Sequence, residues 1–107
     1  MRAQVNAAGI PTNYAAYFDK DHVQRIGELR KEGSREGEYV FDGARLVQYK
    51  GAALGSDATI ELTFDMRGAL TASVGGADEK EISAIRTRAQ LLRSLALARR
   101  SSMNHGS

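Results

Sequence analysis

The chain contains no cysteine. That excludes a disulfide framework and any thiolate metal site, and it removes the thiol as a nucleophile. Tryptophan is also missing, and aromatic residues make up only 7% of the 107 positions. Little material is left for stacking nucleic-acid bases. No apolar run approaches the roughly 20 residues that cross a bilayer, and Met1 to Ile10 lacks the apolar stretch of a signal peptide. The two histidines, His22 and His105, fall in no His-x-Glu or His-x-x-x-His spacing, so no zinc site is expected. No serine stands in a Gly-x-Ser-x-Gly elbow. Acidic residues also run out: none follows Glu81.

What is present reads as one domain with one modest core. Hydrophobic residues are 42% and charged residues 26%, an ordinary globular balance. The net charge of +2 conceals a division. Residues 1–81 hold ten Lys/Arg against thirteen Asp/Glu, whereas residues 82–107 hold five Arg and no acid. A basic C-terminal segment therefore follows a mildly acidic body.

Phe-Asp occurs three times at a fixed interval of 23 residues, as Phe18-Asp19, Phe41-Asp42 and Phe64-Asp65. A fixed period signals a repeated structural unit. Before each pair the residues alternate: Ile60, Leu62 and Phe64 against Glu61, Thr63 and Asp65, and Tyr39 and Phe41 against Glu38 and Asp42. Period-two alternation marks a half-buried strand. After each pair comes a short polar stretch ("KDH", "GAR", "MRG") in which Asp or Gly can close a turn, and then a second run. The unit is a β-hairpin, and three in series predict an antiparallel meander of about six strands. Phe18, Phe41 and Phe64 then stand in a row on one face, which needs a cover.

The cover is the segment from Ala77 to Arg100. Gly75-Gly76 breaks the preceding strand, Asp78 can cap, and Glu81 completes a capping-box-like pattern. Ile82, Ile85, Ala89, Leu92 and Ala96 follow three-four spacing, with Leu95 beside them. The expected fold class is thus α+β, a β-meander covered by one C-terminal helix. Residues 14–100 form the domain, and residues 1–13 and 101–107 are expected to be disordered. Within it, residues 14–32 also admit a helix, capped by Thr12 or Asn13. Gly27 argues against that reading, at about 1 kcal/mol relative to Ala, and the hairpin is preferred. Arg30 to Glu38 reads as a charged loop or frayed strand ends, and Ala52 to Ala58 as a connection between hairpins.

The pattern Tyr-x-Phe-Asp-x-x-x-Leu, carried by "YVFDGARL" at Tyr39 to Leu46 with weaker copies on either side, resembles the hairpin repeat of small bacterial envelope proteins, many of them without an assigned activity. The resemblance covers about residues 14–74 and includes no catalytic motif. It implies a periplasmic or surface location. The chain departs from that pattern: no leader is read in Met1 to Ile10, and there is no cysteine to lipidate.

Candidate chemistry is sparse. Asp19, Asp42 and Asp65 would lie two strands apart, about 10 Å at normal strand spacing, whereas calcium needs oxygens at about 2.3–2.6 Å from one ion. They read as turn formers, not as a metal site. "VGGADEK" at Val74 to Lys80 puts glycines between strand and helix, but it lacks P-loop spacing, and Asp78, Glu79 and Glu81 would repel phosphate. Glu36 and Glu38 share a strand face without a cleft. No enzyme activity and no cofactor are expected.

Two binding surfaces remain. Arg86, Arg93 and Arg100 recur at intervals of seven on one helix face, with Gln90 between the first two and Arg88 and Arg99 broadening the stripe. Tyr17, Val40 and Thr63 occupy equivalent positions on the sheet face away from the helix. The first reading is a non-catalytic binding or inhibitory module of the bacterial envelope that uses this sheet face toward a protein partner. The alternative is a small intracellular protein whose basic helix binds nucleic acid or an acidic protein. Nucleic acid is disfavoured, because no aromatic residue is interleaved with the arginines.

Overall fold

A computed structural model of the chain describes residues 2–7, 10–20, 22–30, 35–52 and 59–105. It contains seven strands and one helix: β1 (Arg2–Ala7), β2 (Ile10–Asp19), β3 (His22–Arg30), β4 (Arg35–Asp42), β5 (Arg45–Ala52), β6 (Thr59–Phe64), β7 (Leu70–Val74) and α1 (Glu79–His105). The strands form one sheet in sequence order, and every neighbouring pair is antiparallel. The fold is α+β, a β-meander with a C-terminal helix.

The three expected hairpins are β2–β3, β4–β5 and β6–β7. The residues that the helical alternative would have taken, 14–32, fall instead in β2, the turn at Lys20 and β3, with residues 21, 31 and 32 outside the described set. Two boundaries differ from the sequence reading. Residues 2–7 pair with 10–15 as an added edge strand, where a disordered segment was expected. The helix continues past Arg100 to His105; with no glycine or proline between Arg100 and His105, nothing in the sequence stops it there. Much of the expected loop between β3 and β4 and of the β5–β6 connection, residues 31–34 and 53–58, lies outside the described residues.

Each hairpin also carries an irregularity that the sequence reading did not contain. The pairing register shifts between Tyr17 and Phe18, between Val40 and Phe41, and between Thr63 and Phe64. Phe18 faces Val23 while Tyr17 faces Arg25, so Gln24 is the extra residue. Val47 and Thr71 are extra in the same way in the second and third hairpins. A β-bulge bends its strand and increases the local twist. Here it recurs at the phenylalanine of each repeat.

The turns use the expected chemistry in different forms. Gly43 in the middle hairpin has φ 65°, which costs a residue without Cβ little. In the third hairpin the Asp65 carboxylate accepts the amides of Arg67 and Ala69 at 2.8 and 2.9 Å. Asp78 caps α1 by accepting the Glu81 amide at 2.8 Å. Gly75, at φ 102°, ends β7 where a Cβ would sit 2.5 Å from the Thr59 carbonyl oxygen.

The core lies between sheet and helix. Phe41, Phe64, Ile60 and Leu62 are buried with Ile85, Ala89, Leu92 and Ala96, as the two periodicities predict. Phe18 and Ile82 are partly buried against the same cluster. Tyr39 and Tyr49 sit at its centre, fully buried, with ring centroids 4.8 Å apart. Burying each large apolar side chain contributes about 1.5–3 kcal/mol before conformational entropy is counted.

Candidate functional site

The helix covers one face of the sheet, and the other face is the larger open surface. Strand pairing sets its layout. Tyr17 lies opposite Arg25, Arg25 opposite Val40, Val40 opposite Gln48, Gln48 opposite Thr63, and Thr63 opposite Ala72. The three residues proposed from sequence therefore fall in one cross-strand row. Four strand spacings separate Tyr17 from Thr63, about 19 Å. Tyr17 and Thr63 are exposed and Val40 is half-buried. Arg25 and Gln48 complete the row, and both are exposed.

Those two were missed because of the bulges. An unbulged hairpin closed by the Asp19–His22 pair would put Gln24 opposite Tyr17; the extra residue brings Arg25 there instead. The Arg25 guanidinium stacks 4.5 Å from the centroid of the Tyr17 ring, a contact worth about 0.5–1 kcal/mol at an exposed site. The next row runs Ala15, Gly27, Glu38, Lys50, Glu61 and Val74. Within it Lys50 and Glu61 are 3.4 Å apart, and Glu38 approaches Arg25 of the first row at 3.8 Å. All four side chains are well exposed, so these pairs add little stability. They alternate in sign and give the face a patterned, nearly neutral charge. The side chain of Glu36, the other member of the sequence-derived carboxylate pair, lies outside the described residues.

The arginine stripe is arranged differently. Arg86 lies over the Phe64 ring at 4.7 Å and donates to the Gly68 carbonyl at 2.6 Å. Arg100 lies over the Phe18 ring at 4.3 Å. Between them Gln90 donates to the Ala44 carbonyl in the turn of the middle hairpin, at 3.2 Å. Arg93 is half-buried on the same flank. The stripe thus runs along the three hairpin turns, and Arg86 and Arg100 rest on the repeat phenylalanines.

Arg88 does not broaden this stripe. It stands three residues after Ile85 and four before Leu92, on the buried side of the helix, and it is 6% exposed. There its Nε donates to the Glu28 carboxylate at 2.7 Å, and its Nη2 reaches the same oxygen. The Tyr39 hydroxyl donates to the other Glu28 oxygen at 2.7 Å. Glu28 follows Ile26 by two residues in β3, so strand periodicity alone places it on the inner face. The buried Tyr14 hydroxyl finds no hydrogen-bond partner among the described residues. Burial pushes this phenol above its usual range, with Arg99 pulling against the shift.

His22 is exposed at the start of β3. Among the described residues no three His, Asp or Glu side chains converge in a way that could hold a metal ion, and no helix is long and apolar enough to cross a membrane. No protein-family model, curated protein or solved structure matches the chain.

Proposed function

We propose that this protein is a non-catalytic binding or inhibitory module of the bacterial envelope, and that it meets a protein partner with the open face of its sheet. The observation that carries this reading is the cross-strand row Tyr17, Arg25, Val40, Gln48 and Thr63. A Tyr held under an Arg guanidinium, beside an apolar residue and two neutral hydrogen-bonding side chains, has the composition of a protein-contact patch: Tyr and Arg dominate such surfaces and bring little entropy cost when already stacked. The basic helix is the weaker candidate, because Arg86 and Arg100 spend their guanidinium faces on Phe64 and Phe18 and Arg88 is buried.

The test is site-specific photocrosslinking in the source cells, with the reactive group placed at Thr63 on the open face or at Ser94 on the exposed side of the helix. The expected result is a discrete adduct from Thr63, enriched in the envelope fraction and lost in Tyr17→Ala/Arg25→Glu. Adducts from Ser94 alone, or a chain that fractionates with the cytosol, would overturn the reading.

A further inference from the structure

β7 is the last strand of the sheet, so one of its edges has no neighbouring strand among the described residues. All five of its residues, Leu70–Val74, are exposed. Exposed sheet edges are usually guarded by charge, by proline or by a covering element. The stretch from Ala69 to Ala77 has neither charge nor proline. Apolar exposure also gathers here. Among the described residues four large hydrophobic side chains are exposed, and three of them, Met66 (65%), Leu70 (37%) and Val74 (60%), belong to this hairpin. Gly75 fixes the end of the strand against the start of β6, so the edge is held in place.

We infer that β7 is a self-association edge that pairs with β7 of a second copy. A two-fold axis beside Ala72, the middle residue, sets the two strands antiparallel, which continues the order of every pairing in the sheet. The pairing satisfies the outer-edge amides and carbonyls of β7 and brings the exposed Val74 of each copy onto the same sheet face as the paired Ala72 residues. A neutral strand meets its own copy without repulsion. Pairing β7 with the opposite edge, β1, would instead propagate an open chain of molecules, and β1 begins with Arg2. Five paired residues extend only about 17 Å, so the contact falls short of a standard stable interface and the dimer is weak.

The experiment is analytical ultracentrifugation of the full chain from micromolar to millimolar concentration. The expected result is a concentration-dependent rise from the mass of one chain toward that of two. Ala72→Lys and Ala72→Glu each set like charges across the axis and should weaken association about fivefold or more. An equimolar mixture of the two should regain it. Far-UV circular dichroism checks that the variants fold, and Val74→Lys replaces Ala72→Lys if that chain does not. A wild-type chain that stays single throughout would overturn the inference. So would a dimer that survives Ala72→Lys, or one that is lost on Tyr17→Ala and not on Ala72→Lys.

Discussion

Replacing Glu28 tests how the helix is fastened to the sheet. Glu28 and Arg88 lie 60 residues apart in sequence and meet under the helix, with side-chain exposures of 0% and 6%. Glu28→Ala withdraws the carboxylate that faces the Arg88 guanidinium and also removes the acceptor of the Tyr39 hydroxyl. Breaking a buried ion pair from one side costs about 3–5 kcal/mol, and losing a hydrogen bond to a charged group costs about 1.5–3 kcal/mol. The two overlap, so a loss of about 4 kcal/mol is expected, a large share of the roughly 5–15 kcal/mol that holds a domain of this kind. In urea that moves the midpoint down by roughly 2–3 M. The magnitude should not reappear when these three side chains are replaced together. In Glu28→Leu/Tyr39→Phe/Arg88→Met no charge is left to desolvate, and stability should return to within about 1 kcal/mol of wild type or exceed it. The assay is equilibrium urea unfolding followed by circular dichroism, with m-values compared to confirm a common two-state transition. A Glu28→Ala loss below about 1 kcal/mol, or a triple variant as damaged as the single, would refute the reasoning, since either means that the pair is not desolvated beneath the helix.

Three other outcomes follow from the same geometry. Phe64→Ala, in the core beside Ile85, should cost about 3–5 kcal/mol, read as a fall in thermal midpoint; unchanged melting would dismiss the phenylalanine row as the seat of the helix. Tyr14→Phe removes a buried hydroxyl that has no partner among the described residues and should be neutral or stabilising by about 1 kcal/mol. Because the folded-state phenol titrates above its unfolded value, its contribution is fully present below about pH 10 and is lost as pH rises through the folded pKa; Tyr14→Phe should therefore blunt alkaline unfolding, and an identical alkaline limb would count against the burial. A random-sequence duplex should bind the wild-type chain weakly and only at low salt, because few phosphate contacts are on offer; tight binding at physiological salt that Arg86→Glu/Arg93→Glu abolishes would promote the basic helix over the sheet face.

The architecture was legible wherever one periodicity acted alone. Ile60, Leu62 and Phe64 alternate cleanly, Ile85, Ala89, Leu92 and Ala96 keep three-four spacing, and the structure buries all seven. The bulges escaped because alternation was followed up to each phenylalanine and not beyond it. The signal is nevertheless in the returning strands. Val23 and Ile26 are both buried, as are Leu46 and Tyr49, at a spacing of three that a regular strand cannot bury on one face. Read that way, the sequence would have placed Arg25 and Gln48 in the row with Tyr17, Val40 and Thr63. Arg88 was misplaced because its charge outweighed its position between Ile85 and Leu92, and its partner Glu28 lies too far away in sequence for local spacing to connect the two.

The recurrence of Phe-Asp and the recurrence of arginine describe one fit between two lattices. Equivalent residues of successive hairpins stand two strand spacings apart, about 9.4–9.8 Å. Seven residues of helix rise about 10.5 Å. A helix laid across the strands with arginine at every seventh position therefore brings one arginine near each hairpin turn in reverse order, Arg86 at Phe64 and Arg100 at Phe18, with Arg93 between them. The mismatch is about 0.7–1.1 Å per repeat and grows with each one, and a side chain as long as arginine absorbs it over three copies. The turn ends of two hairpins add acceptors to the same fit, the Gly68 carbonyl for Arg86 and the Ala44 carbonyl for Gln90. On this account the 23-residue period of the sheet and the seven-residue period of the helix constrain each other. Inserting one residue between Arg86 and Arg93 would rotate the second half of the helix by about 100° and take Arg100 off Phe18 while leaving each hairpin intact.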